Sequence, residues 1–318
     1  MRPTHSFFVF FLIAVVSCNP VKPTTFNASE DELTLAFYNV ENLFDTQDDP
    51  DTNDEEFTPT GKKAWTVERY NVKLEHLGHV IHSIDTHMPD ILGVCEVENK
   101  KVLEDLNRSP YFEGANYEIL HKESPDGRGI DVGLLYNPKK LTLEIEGVIK
   151  SELPAGNRPN TRLILHASGK YQGQNIHIFV NHWPSRSGGK KETEPNRLTV
   201  ARNLKGYVSS LQERHPDALY IFMGDFNDHP NDPSINQVLK AGKGGKYDFE
   251  NLMWDFHKNG QGSYNYRGNW GALDQFIVSR NLVDGEGVEV ETSSIQFFQQ
   301  PFMMYTNDKG ETYPSRTY

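Results

Sequence analysis

Several apolar runs of strand length in this sequence stop abruptly on an amide, a carboxylate or an imidazole. Residues 33–38 run into Asn39-Val40-Glu41-Asn42-Leu43, and residues 91–95 into Glu96-Val97-Glu98-Asn99. Residues 176–180 run into Asn181-His182, residues 219–223 into Gly224-Asp225-Phe226-Asn227-Asp228, and Asp274 opens the run through 276–278. A carboxylate set into a buried strand is costly unless it is paired or bound to metal. Oxygen donors at several such places, with no cysteine cluster, suit a hard cation such as Mg²⁺ or Mn²⁺. The plain alternative at each position is a helix cap or a turn residue.

Residues 132–136, 141–149 and 161–166 are further strand candidates. Val67, Tyr70, Leu74, Leu77, Ile81 and Ile84 recur at three- and four-residue steps, which predicts an amphipathic helix capped by Thr66. His76, His79 and His82 lie along it without a carboxylate or cysteine at metal spacing and read as surface or packed histidines. A second helix is predicted over 195–211. Many strands with a few interspersed helices predict a β-rich α/β sandwich. The acidic run Asp45, Asp48, Asp49, Asp51, Asp54, Glu55, Glu56 reads as a solvated loop; its spacing lacks the glycine and pattern of an EF-hand.

The amino terminus reads as an address. Residues 7–16 form the one long apolar run, too short to span a bilayer, preceded by Arg2 and followed by Val15-Val16-Ser17-Cys18. This resembles a bacterial lipobox. Residues 1–17 are then expected to be a signal peptide, Cys18 the lipidated first residue, and residues 18–31, rich in Pro, Thr and Asn, a tether. Plain secretion is the alternative. The expected location is the bacterial cell envelope, with membrane attachment through the lipid alone. That leaves Cys95 without a disulfide partner, as a buried, inert thiol. Residues 32–318, with no linker, are expected to form one domain, and the chain to be a monomer.

A different chemistry follows the strand through Val180. Asn181-His182-Trp183-Pro184-Ser185-Arg186-Ser187-Gly188-Gly189 places an imidazole beside hydroxyls, a guanidinium and loop amides, all phosphate-binding groups. We assign Ser185 and Arg186 as phosphate contacts on this chemistry. Residues 182–205 carry a local excess of basic side chains, which suggests an anion-facing edge or a solvated helix surface. The net charge of −12 disfavours tight, non-specific binding of duplex. No aromatic stacking platform is legible in the sequence. Arg128-Gly129-Ile130-Asp131 marks Asp131 as a possible cleft residue, the alternative being a turn-capping aspartate paired with Arg128.

Asn39-x-Glu41-x-Leu43, Glu96, Asn181-His182, Gly224-Asp225-Phe226-Asn227 and Leu273-Asp274 occur in the order found in the endonuclease/exonuclease/phosphatase superfamily, which the chain resembles over about residues 33–318. The resemblance implies a four-layered α/β sandwich, two mostly antiparallel β-sheets flanked by helices. It implies divalent-metal-dependent hydrolysis of phosphate esters by in-line attack of water, with Mg²⁺ or Mn²⁺ as cofactor. It implies that Glu96 is the main metal ligand, helped by Asn39 and Glu41. His182 would contact phosphate or protonate the leaving group, Asp225 would orient or activate water, Asn227 would stabilise the charged phosphorus centre, and Asp274 would lie near the ion. Phosphodiesters of DNA or RNA are the favoured substrates over phosphomonoesters, and a phospholipid-headgroup phosphodiesterase or a phosphatase is the alternative. One departure stands out: the Ser-Asp-His motif of the family's last core strand does not occur before Tyr318. The domain is therefore expected to be C-terminally incomplete, or to be a catalytically impaired homologue that binds phosphate or metal.

Overall fold

The computed structural model describes residues 5–7 (backbone only), 32–85, 88–154 and 160–317. Cys18, the proposed tether and all of the proposed signal peptide except the backbone of His5–Phe7 lie outside these residues; that short segment pairs in parallel with Val288–Val290. Two main sheets dominate the described residues. The first is four-stranded, ordered β1 (Leu35–Leu43), β2 (Ile91–Val97), β4 (Asp131–Tyr136), β3 (Glu118–His121). The second is seven-stranded, ordered β9 (Ala241–Gly242), β10 (Phe249–Asn251), β11 (Asp274–Ser279), β8 (Leu219–Asp225), β7 (Gln174–His182), β6 (Ile164–Tyr171), β5 (Leu143–Ile149). Most neighbours are antiparallel; β1–β2, β7–β8 and β9–β10 are parallel.

Side-chain alternation along the strands builds four layers. The inward rows Leu35, Phe37 and Cys95 of the first sheet pack on Ile176, Ile178, Val180, Leu219, Ile221, Met223, Phe276 and Val278 of the second. The outward row Ala36, Leu92, Val94 and Leu135 is covered by Leu77 and Ile81 of α1 (Val67–His82) and Leu103 and Leu106 of α2 (Lys100–Asn107). Phe179 and Phe222, facing out of the second sheet, are covered by Val200, Ala201, Leu204 and Val208 of α3 (Lys190–Arg214). This is the four-layered sandwich expected.

Local details follow expectation with two exceptions. Thr66 caps α1 by accepting from the Arg69 amide, and His79 stacks between Tyr111 and Phe302 rather than binding metal. Cys95 is fully buried, and that burial raises its thiol pKa well above the ordinary range. The first exception is α3, which begins at Lys190, so that Pro195 lies inside it. Side chains serve its first turn: Arg197 Nη2 donates to the Lys190 carbonyl and Thr193 Oγ1 to that of Gly189. The second is the acidic run, which is not wholly solvated. Asp45 and Asp54 are buried beside Glu98. Burial, together with the charge of Asp45, pushes Glu98 up to about 8.

Candidate active site at the strand ends

The inward apolar rows run out at one end of the sandwich, and polar residues continue them. Leu35 and Phe37 give way to Asn39; Ile178 and Val180 to His182; Ile221 and Met223 to Asp225; Val278 and Phe276 to Asp274. Hydrogen-bond register sets three of these side by side: His182 lies opposite Asp225, and Asp225 opposite Asp274. All three are buried. Gly224 makes this approach possible: at φ +152, a Cβ would stand 2.2 Å from the Asn181 carbonyl oxygen.

Glu96 reaches the same place by another device. Strict alternation from Cys95, which faces inward, would turn Glu96 toward the helices. A register shift between Cys95 and Val97 and a left-handed backbone at Glu96 (φ +62) re-aim it. Its carboxylate lies 3.9 Å from His182 Nε2, which is also 3.9 Å from Asp225 Oδ2. Glu41 and Asn42 are left-handed too (φ +55 and +60), at the matching irregularity in β1.

Two buried polar atoms here have no partner among the described residues: His182 Nδ1 and Asp274 Oδ1. Like charge is crowded around them. Burial first, and Glu96 among its neighbours, raise Asp225 to about 6. Burial and then Asp225 raise Asp274 well above the carboxylate range. Burial, then the Arg162 and Arg128 guanidinium groups, hold His182 well below the imidazole range, so it is neutral at pH 7. Unpaired oxygen and nitrogen donors among like-charged carboxylates are the donor set that a hard divalent cation satisfies. Glu96, Asp225 and Asp274 offer donors of that kind, although their ligand atoms do not all lie within 4.8 Å of one another.

Other expected site residues take different places. Asn39 Nδ2 donates to Asp225 Oδ2 at 3.2 Å and its Oδ1 accepts from the Glu41 amide, so Asn39 positions Asp225. Both Glu41 carboxylate oxygens are engaged, by Arg316 at 2.5 Å and by the Thr317 amide at 3.2 Å. In this structure Asn39 and Glu41 bond to neighbouring residues, and Glu96 faces His182 and Arg128. Asn227 donates to the Trp183 carbonyl at 3.0 Å, leaving its second amide proton available. Arg186 is not a free phosphate contact: it donates to the Asn227 carbonyl, to His229 and to Asp228 and Asp232. Ser185 Oγ accepts a long bond from the Ser187 amide. The basic edge is likewise neutralised by acids distant in sequence, Lys190 by Asp232, Arg197 by Asp228 and Lys205 by Asp248.

Asp131 does not pair with Arg128. It accepts from the Ser124 amide at 2.7 Å and lies 2.9 Å from His121 Nε2. Among the described residues, His121, Glu123 and Asp131 are the one group of three potential ligands within 4.8 Å of one another. Arg128 instead reaches Asn42 and approaches Glu96. Sequence reasoning missed this group, and it missed Arg162, which is buried between Asp126 and the Trp183 carbonyl. The partners of Arg162 come from segments far apart in the chain, whereas His121, Glu123 and Asp131 lie within ten residues and meet only because their two strands pair.

Comparison with known proteins places this geometry. No curated protein matches the sequence. Among solved structures, the fold is similar to an endonuclease/exonuclease/phosphatase family protein from Bacteroides thetaiotaomicron, at 16% identity and a TM-score of 0.50, covering 89% of this chain and 92% of that one. The mannosyl-6-phosphatase Bt3783 of the same organism aligns at 17% identity and 0.48, over 77% and 84% of the two chains. The human Nocturnin catalytic domain aligns at 17% and 0.44, over 66% and 75%. The sequence pattern of one family runs through both sheets and every strand end described above, from residue 34 to residue 318, and by that match the chain belongs to the Endonuclease/Exonuclease/phosphatase family.

Proposed function

We propose that this chain is a phosphodiesterase dependent on Mg²⁺ or Mn²⁺, acting by in-line attack of water. One observation carries the reading. His182, Asp225 and Asp274 stand on three adjacent strand ends beside Glu96, with His182 Nδ1 and Asp274 Oδ1 buried and unpartnered. Glu96, Asp225 and Asp274 would hold the ion, which when bound supplies charge to polarise a phosphoryl oxygen. The Asp225 carboxylate accepts a hydrogen bond from a water molecule, orienting it. Neutral His182 offers one ring N–H to a phosphate oxygen. The free amide proton of Asn227 is a second donor for charge developing at phosphorus. Arg186 and Asn39 position Asn227 and Asp225.

Nucleic acid is the favoured phosphodiester and a phospholipid headgroup the alternative. Export and lipid anchoring at Cys18 are part of the same proposal and rest on the sequence alone. A phosphate-binding homologue without turnover is the competing reading, favoured by the engagement of both Glu41 oxygens with Arg316 and Thr317.

The test is hydrolysis of bis(4-nitrophenyl) phosphate and of single-stranded DNA, with Mn²⁺ or EDTA, by the full chain and by Glu96→Ala. Turnover that needs metal and disappears in the variant is the expected result. A folded protein that binds phosphate without turnover would establish the competing reading.

A further inference from the structure

The structure builds an aromatic platform beside Asp274. Tyr264–Tyr266 and Asn269–Gly271 form a two-stranded antiparallel hairpin. Tyr264 and Tyr266 are 51% and 57% exposed, far more than aromatic side chains in the cores of this protein. Their rings lie 12° from parallel with centroids 6.5 Å apart. The Arg267 guanidinium lies 5.1 Å from the Tyr266 ring centroid.

Backbone contacts fix where this platform stands. The Asp274 amide donates to Ser263 Oγ at 3.2 Å, and the Ser263 amide donates to the Gly271 carbonyl at 3.0 Å. Tyr264 is the next residue after Ser263, one Cα step of about 3.8 Å, so it borders the candidate active site. The direction it faces follows from register. Tyr264 pairs with Gly271, and directly opposed residues project on the same face of a ribbon. A Cβ on Gly271 would stand 2.7 Å from His229 Cε1. The tyrosine face of the hairpin is therefore the one that looks toward His229, whose ring is held by Arg186 and stacked on His257.

We propose that Tyr264 and Tyr266 form a stacking platform for an unpaired nucleobase next to the scissile phosphate, which makes single-stranded nucleic acid the substrate. This rests on the phosphodiesterase reading above. An exposed ring face stacks any base and reaches it only when that base is free of a duplex. Arg267 supplies a cation for a neighbouring phosphate in a chain whose net charge is −12. A membrane is a poorer occupant: the hairpin turn carries Arg267 and Gly268, and Trp270 pairs with Asn265 and so projects from the face opposite the tyrosines.

The test measures binding, by fluorescence anisotropy, of a labelled single-stranded oligonucleotide and of an abasic strand with the same backbone. The protein is the full chain, its Tyr264→Ala/Tyr266→Ala variant and its Tyr264→Phe/Tyr266→Phe variant. The expected result is a preference of about tenfold or more for the base-bearing strand, abolished by alanine and retained by phenylalanine. Equal binding of the two strands, or an unchanged preference in the alanine variant, would overturn it. So would tyrosine-dependent binding to phosphatidylcholine vesicles without a preference between strands. Hydrolysis of the oligonucleotide by the unmodified chain is scored in parallel. Base-dependent binding without turnover removes the activity reading and leaves the platform; turnover without base preference does the reverse.

Discussion

Strand β7 carries two buried histidines with opposite situations. His177 faces α3, hydrogen-bonded through Nδ1 to His166 Nε2, while His166 Nδ1 contacts the Tyr207 hydroxyl. Around it are stacked rings, Tyr220 on His177 and Phe179 on His166. His182 lies five residues on, on the other face, at the end of the row Ile176, Ile178, Val180. It meets two carboxylates at 3.9 Å and has no partner for Nδ1. The odd spacing puts one imidazole among stacked aromatic rings, its Nδ1 bonded and its Nε2 unpartnered, and the other where apolar packing stops and like charges collect. Position on the strand, not residue type, separates a structural histidine from a chemical one.

The largest expected effect lies on the His182 side. Glu96→Ala and His182→Ala should each lower kcat for phosphodiester hydrolysis by about 10²–10⁴-fold, with thermal unfolding close to that of the unmodified chain. An equally active His182→Ala would erase the contrast between the two faces.

Next comes the polar frame behind the site. Arg197 and Asp228, both buried, lie 2.8 Å apart. Asp228→Ala removes the buried counter-charge of Arg197 and should cost about 3–5 kcal/mol in denaturant unfolding. The exposed Lys243–Asp255 pair is the control, and Lys243→Ala should cost less than about 1 kcal/mol. Equal losses at the two would remove the distinction between frame and surface.

A smaller effect belongs to the aromatic side. Burial, then His177, hold His166 at about 3; burial, then His215, hold His177 at about 4. Both values lie below that of an unfolded histidine, so the unfolded chain binds more protons. Stability is then complete above about pH 6.5 and falls as pH drops toward 4, by at most about 1.4 kcal/mol per unit and histidine. Urea unfolding at pH 7 and pH 5 checks this, and His166→Phe/His177→Phe should flatten the dependence. An acid slope unchanged in that double variant would place its origin elsewhere.

Much of this contrast was legible in the sequence. The apolar runs gave the strands, and their abrupt polar ends marked Glu96, His182, Asp225 and Asp274. What escaped depends on backbone irregularities, strand pairing and contacts between segments. The bulge that turns Glu96 into the cleft has no local signature beyond the residue itself. The excess of basic residues near Arg186 looked like an anion site because Asp228, Asp232 and Asp248, which neutralise it, come from other loops. His121 shares no motif with Asp131, yet antiparallel pairing of β3 with β4 brings them together. The α3 start moved to Lys190 because Arg197 and Thr193 bond its first turn, a service that helix propensity does not foresee.

The central claim is that the strand ends, not the tighter His121, Glu123 and Asp131 group, hold the ion. Mn²⁺ soaked into crystals of the protein and located by anomalous scattering tests it directly. The account predicts a peak within about 2.2 Å of a Glu96, Asp225 or Asp274 carboxylate oxygen. A peak confined to His121, Glu123 and Asp131, or none at either place, would contradict it.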